Sequence, residues 1–264
     1  MKVDVFDLNG SPVEKIELPK VFSEPVREEL IKRAVLAAQA NRRQPYGVDV
    51  MAGKRTSAHY HGYRRHRYAM MGKEMARAPR LHGKTVPFLT WQARFVPQAK
   101  GGREAHPPLV ERVWEQKINR QEKQKALRSA LAATAIKEFV ERRGHKIEKI
   151  KELPIVVDDK LQEIKKTKDL REFLAKIGLA EELARTQERK IRAGKGKTRG
   201  RKYRTKVGPL FVVAEDKGIS KAAKNLPGCD VYDVKNLSAE NLAPGAAAGR
   251  LTIFTKSAIG KLSG

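Results

Sequence analysis

Short apolar runs recur along the C-terminal part of the chain and predict its strands. Each run is rich in β-branched or aromatic residues and is nearly continuous, as in a strand buried on both faces of a parallel sheet. The four runs cover residues 153–158, 210–213, 231–234 and 251–254. Earlier in the chain, an Asn-Gly dipeptide at residues 9–10 lies between two β-type runs and predicts a hairpin.

Helical patterns of apolar residues separate these runs. The four shorter patterns cover residues 167–177, 180–192, 220–226 and 256–262. Strands that alternate with helices predict an α/β fold, a mostly parallel sheet flanked by helices with right-handed crossovers. Near the N-terminus, Ser23 is a suitable N-cap for a helix that should end near Arg43, before a proline.

A longer helical pattern runs from Glu111 to Phe139, and Gly144 is a suitable C-terminal stop. The first half of this pattern is polar and charged, whereas its second half is rich in alanine. We therefore expect one long helix whose first half projects away from the body of the protein.

Residues 44–108, here called the arm, contain no apolar run long enough to form a core. They hold seven glycines, six prolines, seven aromatic residues and five of the six histidines. A structureless insert of this length is uncommon in a compact domain, and its aromatic content is too high for a simple disordered tail. Arginine, aromatic and glycine residues together suit a segment that threads through RNA. The sequence predicts a globular α/β body, residues 1–43 plus 109–264, and an extended RNA-threading loop, residues 44–108.

The charge of the chain is concentrated in two places. The 264 residues carry a formal net charge of +26. The arm has twelve Lys or Arg against three acids, and residues 185–206 have eleven against one. Two electropositive segments on a nearly balanced body indicate nucleic-acid binding. The highly charged surface of a thermophilic protein would instead show balanced charge.

The remaining composition predicts where the protein works. Its single cysteine, Cys229, excludes an intramolecular disulfide and suits a reducing compartment. Residues 1–5 include an acid and no apolar run, so we expect no signal peptide, and no run approaches the length of a membrane span. We expect a cytoplasmic protein that contacts no membrane and forms no homo-oligomer.

A Gly-Lys-Thr tripeptide at residues 196–198 resembles the end of a phosphate-binding P-loop. The pattern also needs a glycine five positions earlier, where Ile191 stands, and a preceding strand, where a charged helix is expected. A surface loop that binds RNA phosphates through residues 192–204 fits the composition better. A mobile basic linker remains the alternative.

The histidine-rich sequence HYHGYRRH at residues 59–66 could supply metal ligands. Its neighbours are arginines, which oppose a cation, so we expect no metal and no cofactor, and histidines that contact bases instead. For catalysis, the best acidic pair is Asp158 and Asp159 after a predicted strand, where a turn or a helix cap explains it equally well. We therefore expect no catalytic residues. The alternatives are a nucleic-acid-processing enzyme with a basic substrate-holding arm and an architectural DNA-binding protein.

Several longer motifs resemble one family closely. These are RFVPQAKGGREAHPP at residues 94–108, RSALAAT at 128–134, RTSA at 55–58 and APR at 78–80. They resemble the archaeal branch of the universal large-subunit ribosomal protein four family, and the resemblance extends essentially from end to end. It implies a structural ribosomal protein in the cytoplasm, whose partners are large-subunit ribosomal RNA and other large-subunit proteins.

The resemblance also implies how such a protein is placed. The body would lie on the outside of the large subunit, and the arm would run inward through RNA. The tip of the arm would lie near residues 57–71, at the narrow part of the peptide exit tunnel, opposite the tip of large-subunit protein twenty-two. The return limb would be residues 94–103. The tip residues implied are His59, His61, Gly62, His66, Met70 and Met71.

Arginine and lysine side chains are the candidates for phosphate contacts, and tyrosine and tryptophan rings are the candidates for stacking on bases. The RNA-binding residues expected from the sequence are Arg42, Arg43, Lys54, Arg55, Tyr60, Tyr63, Arg64, Arg65, Arg67, Tyr68, Arg77, Arg80, Trp91, Arg94, Lys100 and Arg103, and in the basic loop Lys195, Lys197, Arg199, Arg201, Lys202 and Arg204.

Overall fold

A computed structural model describes residues 1–83 and 87–262. The chain divides into two compact units. One, here called the body unit, comprises Met1–Arg42 and Glu115–Gly264, and the other, here called the insert unit, comprises Arg43–Trp114.

The body unit contains the strands and the α-helices of the described residues. The strands are β1 (Lys2–Phe6), β2 (Pro12–Glu17), β3 (Ile155–Val157), β4 (Arg189–Ile191), β5 (Tyr203–Thr205), β6 (Leu210–Val213), β7 (Asp230–Asp233) and β8 (Thr252–Thr255). The helices are α1 (Glu28–Asn41), α2 (Arg120–Ala135), α3 (Lys137–Arg142), α4 (Thr167–Lys176), α5 (Ala180–Gln187), α6 (Ile219–Lys224), α7 (Ala239–Leu242) and α8 (Lys256–Leu262).

Six strands form the main sheet in the order β2-β1-β3-β8-β6-β7. β1 and β2 are antiparallel, and every other neighbouring pair in this sheet is parallel. All residues of β3, β6 and β8 are buried. The α/β fold, the mostly parallel sheet and the N-terminal hairpin predicted from the apolar runs are therefore confirmed.

Alternate residues of the central strands pack into two separate core layers, because successive side chains of a strand point to opposite faces. Val156, Val212 and Phe254 face a layer that contains α1, α2, α7 and α8. Ile155, Phe211 and Ile253 lie on the other face, with residues from α3, α4, α5 and α6. Burying one such side chain contributes about 1.5–3 kcal/mol, so the two layers hold the sheet in a helix–sheet–helix arrangement.

The first helix begins later than the sequence pattern indicated. Ser23 ends a short 3-10 turn instead of capping a helix, and α1 starts at Glu28. The reason is tertiary: the Ser129 hydroxyl on α2 accepts a hydrogen bond from the Arg27 amide at 2.6 Å and donates one to the Pro25 carbonyl at 3.3 Å. These bonds hold the segment before α1 in a non-helical conformation.

The long helix expected from Glu111 is also shorter, so that expectation was wrong. The helix begins at Arg120, and the residues before it are not helical. The Asn41 side chain binds this stretch, since its amide oxygen accepts the Gln116 amide at 2.8 Å. The extended Ile136 separates α2 from α3, so the segment forms two helices. The expected stop is present, because Gly144 has φ +89°.

No helix in residues 1–83 and 87–262 has both the length and the apolar content needed to cross a lipid bilayer.

Candidate nucleic-acid interface

The insert unit is built from irregular chain segments that meet side by side. Single antiparallel bridges join His59 to Arg80 and Arg80 to Ala93. Within its described residues, Met70 and Leu81 are the buried apolar side chains, with 2% and 7% exposure. The unit therefore has local order without a sizeable hydrophobic core.

Close backbone approach explains one of its glycines. A Cβ added at Gly102 would lie 1.9 Å from the Val96 carbonyl oxygen. Any side chain at this position would therefore displace the turn within residues 94–103, part of the segment that carries the longest family motif. The sequence at 101–102 thus reflects a tight backbone crossing.

The candidate arginines of the insert unit fall into two groups. Arg64, Arg65, Arg67 and Arg77 are exposed, and in the described part of the chain they form no ion pair with a carboxylate. Such side chains present charge to an external anion. They form the free basic surface of this unit.

The other candidate arginines of this unit are engaged within the protein. Arg55 pairs with Asp49, which lowers the pKa of that carboxyl through a side-chain hydrogen bond. Arg80 donates to the Ala76 carbonyl at 2.9 Å and to the Trp91 carbonyl at 2.8 Å. These guanidinium groups hold the segments together as well as adding positive charge.

The remaining charged candidates are spread over both units. Arg94 donates to the Lys100 carbonyl at 3.2 Å, and the Lys100 residue itself is exposed. Lys54 and Arg103 are half-buried, and Arg103 lies 6.0 Å from the Phe95 ring centroid. In the body unit, Arg42 follows α1 and pairs with a carboxylate of α7.

Two of the four stacking candidates have open rings. Tyr60 is 49% exposed and Tyr63 is 81% exposed, so both can meet a base. Tyr68 instead packs on the His82 ring at 4.3 Å, and the Lys73 ammonium lies 3.8 Å from the Trp91 ring centroid.

Trp114 was missed as an aromatic contact because the sequence pattern placed it in a helix. Its ring stacks on Tyr46 at a centroid distance of 5.9 Å. The guanidinium of Arg43 lies 3.8 Å from the Trp114 centroid, and that of Arg112 lies 4.6 Å from it. This cation–π cluster supports two arginines at the two ends of the insert unit's sequence range.

The implied tip residues differ in exposure. His59 and His66 are exposed, His61 is half-buried, and the half-buried Gly62 lies against the Tyr60 ring. Met71 is half-buried, whereas Met70 is almost fully buried. The Met70 side chain thus packs in the interior of the insert unit.

The basic loop of the body unit is a hairpin, which the sequence reasoning missed. The helix expected over 180–192 ends at Gln187, and β4 then pairs antiparallel with β5, with Ile191 opposite Tyr203. An antiparallel ribbon is not the strand–loop–helix unit of a P-loop, and Gly196 lies in a 3-10 turn at its end. All six basic candidates are exposed: Lys195, Lys197, Arg199, Arg201, Lys202 and Arg204.

A basic groove, which sequence reasoning also missed, lies beside this hairpin in the body unit. It has a volume of about 680 Å³ and is lined by Arg142, Arg143, Arg185, Lys190 and Arg204, among others. Burial lowers the pKa of Arg143 to about 10, with smaller contributions from neighbouring arginines, so its guanidinium stays charged at neutral pH. Arg143 donates to the Ala247 and Pro244 carbonyls and Arg185 pairs with Glu182. The exposed Lys190 and Arg204 are the side chains of this groove that can meet phosphate oxygens.

The acidic pair considered for catalysis caps short helices. The Asp158 carboxylate accepts the Asp159 amide at 2.7 Å. The Asp159 carboxylate accepts both the amide of Ser257, at 2.9 Å, and its hydroxyl, at 2.6 Å. Both carboxylates are therefore used to stabilise chain turns.

An α/β body with an exposed basic hairpin, together with an arginine- and tyrosine-rich insert that lacks a core, defines an RNA-binding protein. Residues 16–264 match the model of the family described as "Ribosomal protein L4/L1 family". The chain belongs to this family.

Curated relatives agree over almost the whole chain. It is 49% identical to the "Large ribosomal subunit protein uL4" of Methanosphaera stadtmanae, over 99% of this chain and 96% of that protein. It is 50% identical to the protein of the same description from Methanopyrus kandleri, over 98% and 96%. For the Archaeoglobus fulgidus protein the identity is 49%, over 98% and 97%.

These similarities confirm the family and the archaeal affinity expected from the motifs. The chain is a ribosomal protein of the large subunit and a cytoplasmic component of the ribosome, where it associates with ribosomal RNA and other ribosomal proteins. It is a structural protein, so the alternative of a nucleic-acid-processing enzyme was wrong.

Proposed function

We propose that the arm threads through large-subunit ribosomal RNA, lines part of the peptide exit tunnel with its tip, and aids assembly of the subunit. The observation that carries this proposal is the contrast within the insert unit. Its described residues bury two apolar side chains, Met70 and Leu81, yet they expose a row of arginines and tyrosines. A segment that buries so little apolar surface gains its final order from a partner, and its charge selects a polyanion.

The exposed side chains match the chemistry of folded RNA. Arg64, Arg65, Arg67 and Arg77 are available to phosphates, and the rings of Tyr60 and Tyr63 can stack on unpaired bases. Because the deep major groove of A-form RNA excludes side chains, selectivity comes from the folded shape of the RNA. The hairpin formed by β4 and β5 provides a second basic contact on the body unit.

The length of the arm is sufficient for the proposed path. Residues 44–108, doubled back on themselves, reach at most about 100 Å at roughly 3.3 Å per residue. Such a reach spans several RNA helices. At the tunnel, the proposed neighbour of the tip is large-subunit protein twenty-two, and no second copy of this chain is required.

The RNA contacts can be tested by salt dependence. The test variant has glutamine in place of Arg64, Arg65, Arg67 and Arg77, and it should bind large-subunit ribosomal RNA more weakly. The slope of log K against log salt should also become shallower by about 3–4, since each lost phosphate contact removes roughly 0.7–0.9. The matched control replaces four exposed lysines of the body unit by glutamine. These are Lys20, Lys32, Lys221 and Lys224. Equal slopes for the two variants, or tighter binding of the unmodified protein to duplex DNA, contradict the proposal.

The tunnel position needs a separate test in assembled ribosomes. A photo-crosslinking amino acid at His66, an exposed residue of the implied tip, should capture a stalled nascent peptide, whereas the same group at Lys32 of the body unit should not. Deletion of residues 53–84 should preserve the helical signal of the body unit and slow the maturation of large subunits. Normal maturation with the deleted chain refutes the role in assembly, and equal crosslinking from both sites refutes the tunnel position.

A further inference from the structure

Three imidazoles of the insert unit meet at one point. The Nε2 atom of His82 lies 2.6 Å from Nε2 of His61 and 3.0 Å from Nε2 of His59. The potential ligand atoms of the three residues all lie within 4.8 Å of one another. Among the described residues, this cluster is the group of His, Cys, Asp or Glu side chains placed to share a metal ion.

Hydrogen bonds at the far side of two rings determine their tautomers. Nδ1 of His59 lies 3.0 Å from the Ser57 carbonyl oxygen, and Nδ1 of His82 lies 2.9 Å from the Arg80 carbonyl oxygen. A carbonyl oxygen can only accept, so both Nδ1 atoms carry the proton. In the neutral rings, Nε2 then presents a lone pair.

Because the Nδ1 atoms hold the ring protons of His59 and His82, the Nε2 atoms of these two rings have no proton to donate at the centre of the cluster. The Nε2 lone pairs of His59 and His82 face each other at 3.0 Å, and His61 has at most one Nε2 proton to share between them. Lone pairs that face each other at this distance repel. A cation with nitrogen affinity resolves the arrangement.

We propose that His59, His61 and His82 bind one transition-metal ion, with Zn²⁺ as the best match, through their Nε2 atoms, and that solvent takes the fourth position. Neutral imidazole suits Zn²⁺, and an Nδ1–H donated to a backbone carbonyl is the common outer contact of such ligands. For tetrahedral bonds of about 2.0–2.1 Å, the ligand nitrogens stand about 3.3 Å apart, so the His61–His82 and His59–His82 separations need to widen by less than about 1 Å.

The arginine bridged to His59, Arg80, has acceptors of its own. Arg80 directs its guanidinium to the Ala76 and Trp91 carbonyls, so its charge is held by backbone acceptors. The linear group of histidines is not the ligand set, since the His66 ring stacks on His61 at 4.6 Å while His82 supplies the third nitrogen. The sequence pattern alone did not indicate that His82, and not His66, would be the third histidine of the cluster.

The ion would link two chain segments. His61 and His82 are 21 positions apart, and the arginine-rich stretch lies between them. Closing this loop with a metal lowers its conformational entropy before RNA arrives. This inference does not rest on the tunnel position, because it concerns the insert unit by itself.

Metal binding by the full-length protein tests the inference. The protein is stripped with a chelator, titrated with Zn²⁺ by calorimetry, and examined with Co²⁺ as a visible-light probe of tetrahedral nitrogen coordination. We expect one ion per chain. His59→Gln, His61→Gln and His82→Gln should each weaken binding by at least about 100-fold, because even changes to outer contacts cost 10–100-fold.

His106→Gln is the matched control, since His106 is exposed, belongs to the same unit and lies outside the cluster. The metal affinity of this variant should stay within about threefold of the unmodified protein, because the site loses no ligand and no outer contact. Equal losses in all four variants, or several weak ions per chain, mean adventitious chelation and overturn the proposal. The Co²⁺ spectrum is also recorded with large-subunit ribosomal RNA bound, and absence of the tetrahedral bands in both states overturns it as well.

Discussion

Arg250 organises one end of the sheet, and its removal should destabilise the body unit strongly. Its side chain is 2% exposed. It donates to the Gly208 and Asn241 carbonyls at 3.0 Å each, to the Gly228 carbonyl at 3.2 Å and to the Asp230 carboxylate. The guanidinium therefore joins the start of β8 to the segments that precede β6 and β7.

The expected cost of Arg250→Met follows from these contacts. Three backbone carbonyls lose a donor, at about 1–3 kcal/mol for each acceptor left buried without a partner. Removing a buried charge returns part of its desolvation penalty, so we expect a net loss of about 3–5 kcal/mol in the free energy of unfolding. At 2–4 °C per kcal/mol for a chain of this size, the melting temperature should fall by about 6–20 °C.

The two units allow their unfolding to be observed separately. The α-helices of the described residues lie in the body unit, so far-ultraviolet circular dichroism follows that unit. Both tryptophans, Trp91 and Trp114, lie in the insert unit, so their fluorescence follows the other. We expect Arg250→Met to lower the urea midpoint of the circular dichroism transition. Arg250→Lys should fall between the variant and the unmodified protein, because lysine keeps the charge but loses the fork of donors.

Asp230→Asn is the control for this experiment. The Asp230 side chain is 51% exposed and asparagine keeps an acceptor for the guanidinium, so this variant should cost clearly less than Arg250→Met. If Arg250→Met stays within about 1 kcal/mol at an unchanged m-value, the buried carbonyls have found other donors and the reasoning is refuted.

Three further predictions address single side chains. Burial lowers the pKa of His145 below 6.5 in the folded protein, so the unfolded state binds a proton at higher pH than the folded state does. The free energy of unfolding should therefore decrease as the pH falls below 6.5. In urea titrations at several pH values, His145→Gln should show a smaller decrease. Asp159→Ala should cost about 0.5–2 kcal/mol of stability, measured by thermal unfolding, because the amide of Ser257 loses its cap. Gly102→Ala should alter tryptophan fluorescence and leave the helical signal unchanged, because its Cβ meets the Val96 carbonyl.

Each of these predictions has a clear contrary result. An unchanged pH profile in His145→Gln means that another group controls acid stability. Full stability of Asp159→Ala means that water or another acceptor caps α8. For the glycine, the control is Gly260→Ala on α8, where an added Cβ meets nothing within 4 Å. If Gly102→Ala behaves like this control, the backbone crossing has room to relax.

The sheet could be predicted from the sequence because burial on both faces leaves a plain signal. The runs that became β3, β6 and β8 contain almost no polar residue, and no other local structure of that length accounts for them. The β1–β2 turn was equally predictable, since Gly10 adopts φ +82° where the Asn-Gly dipeptide was expected to form a turn. Local rules sufficed in both places.

The helix boundaries failed where distant side chains decided them. Ser23 met every local requirement for a cap, but Ser129, more than a hundred positions later, holds the start of α1 elsewhere. In the same way, Asn41 binds the stretch around Gln116, which is not helical despite its helical pattern. Single-sequence periodicity contains no information about such contacts.

In the candidate site, too, some features could be predicted from the sequence, and others depended on contacts between distant residues. Composition located the two basic segments because net charge is additive along a chain. It did not separate the exposed Arg64 and Arg77 from Arg80, whose guanidinium is used internally. The pairing of Ile191 with Tyr203 did have a signal, two β-type residues on either side of a glycine-rich turn, but the surrounding charge obscured it.

The charged outer strands of the sheet affect whether newly synthesised chains aggregate. β2 begins with Pro12, and its lysine and two glutamates are all exposed, while β7 begins and ends with Asp230 and Asp233. Proline and charge on an unpaired strand prevent a neighbouring chain from adding to the sheet. Newly made copies should therefore resist ordered aggregation, and precipitation during purification should follow contaminating polyanions and respond to nuclease and salt.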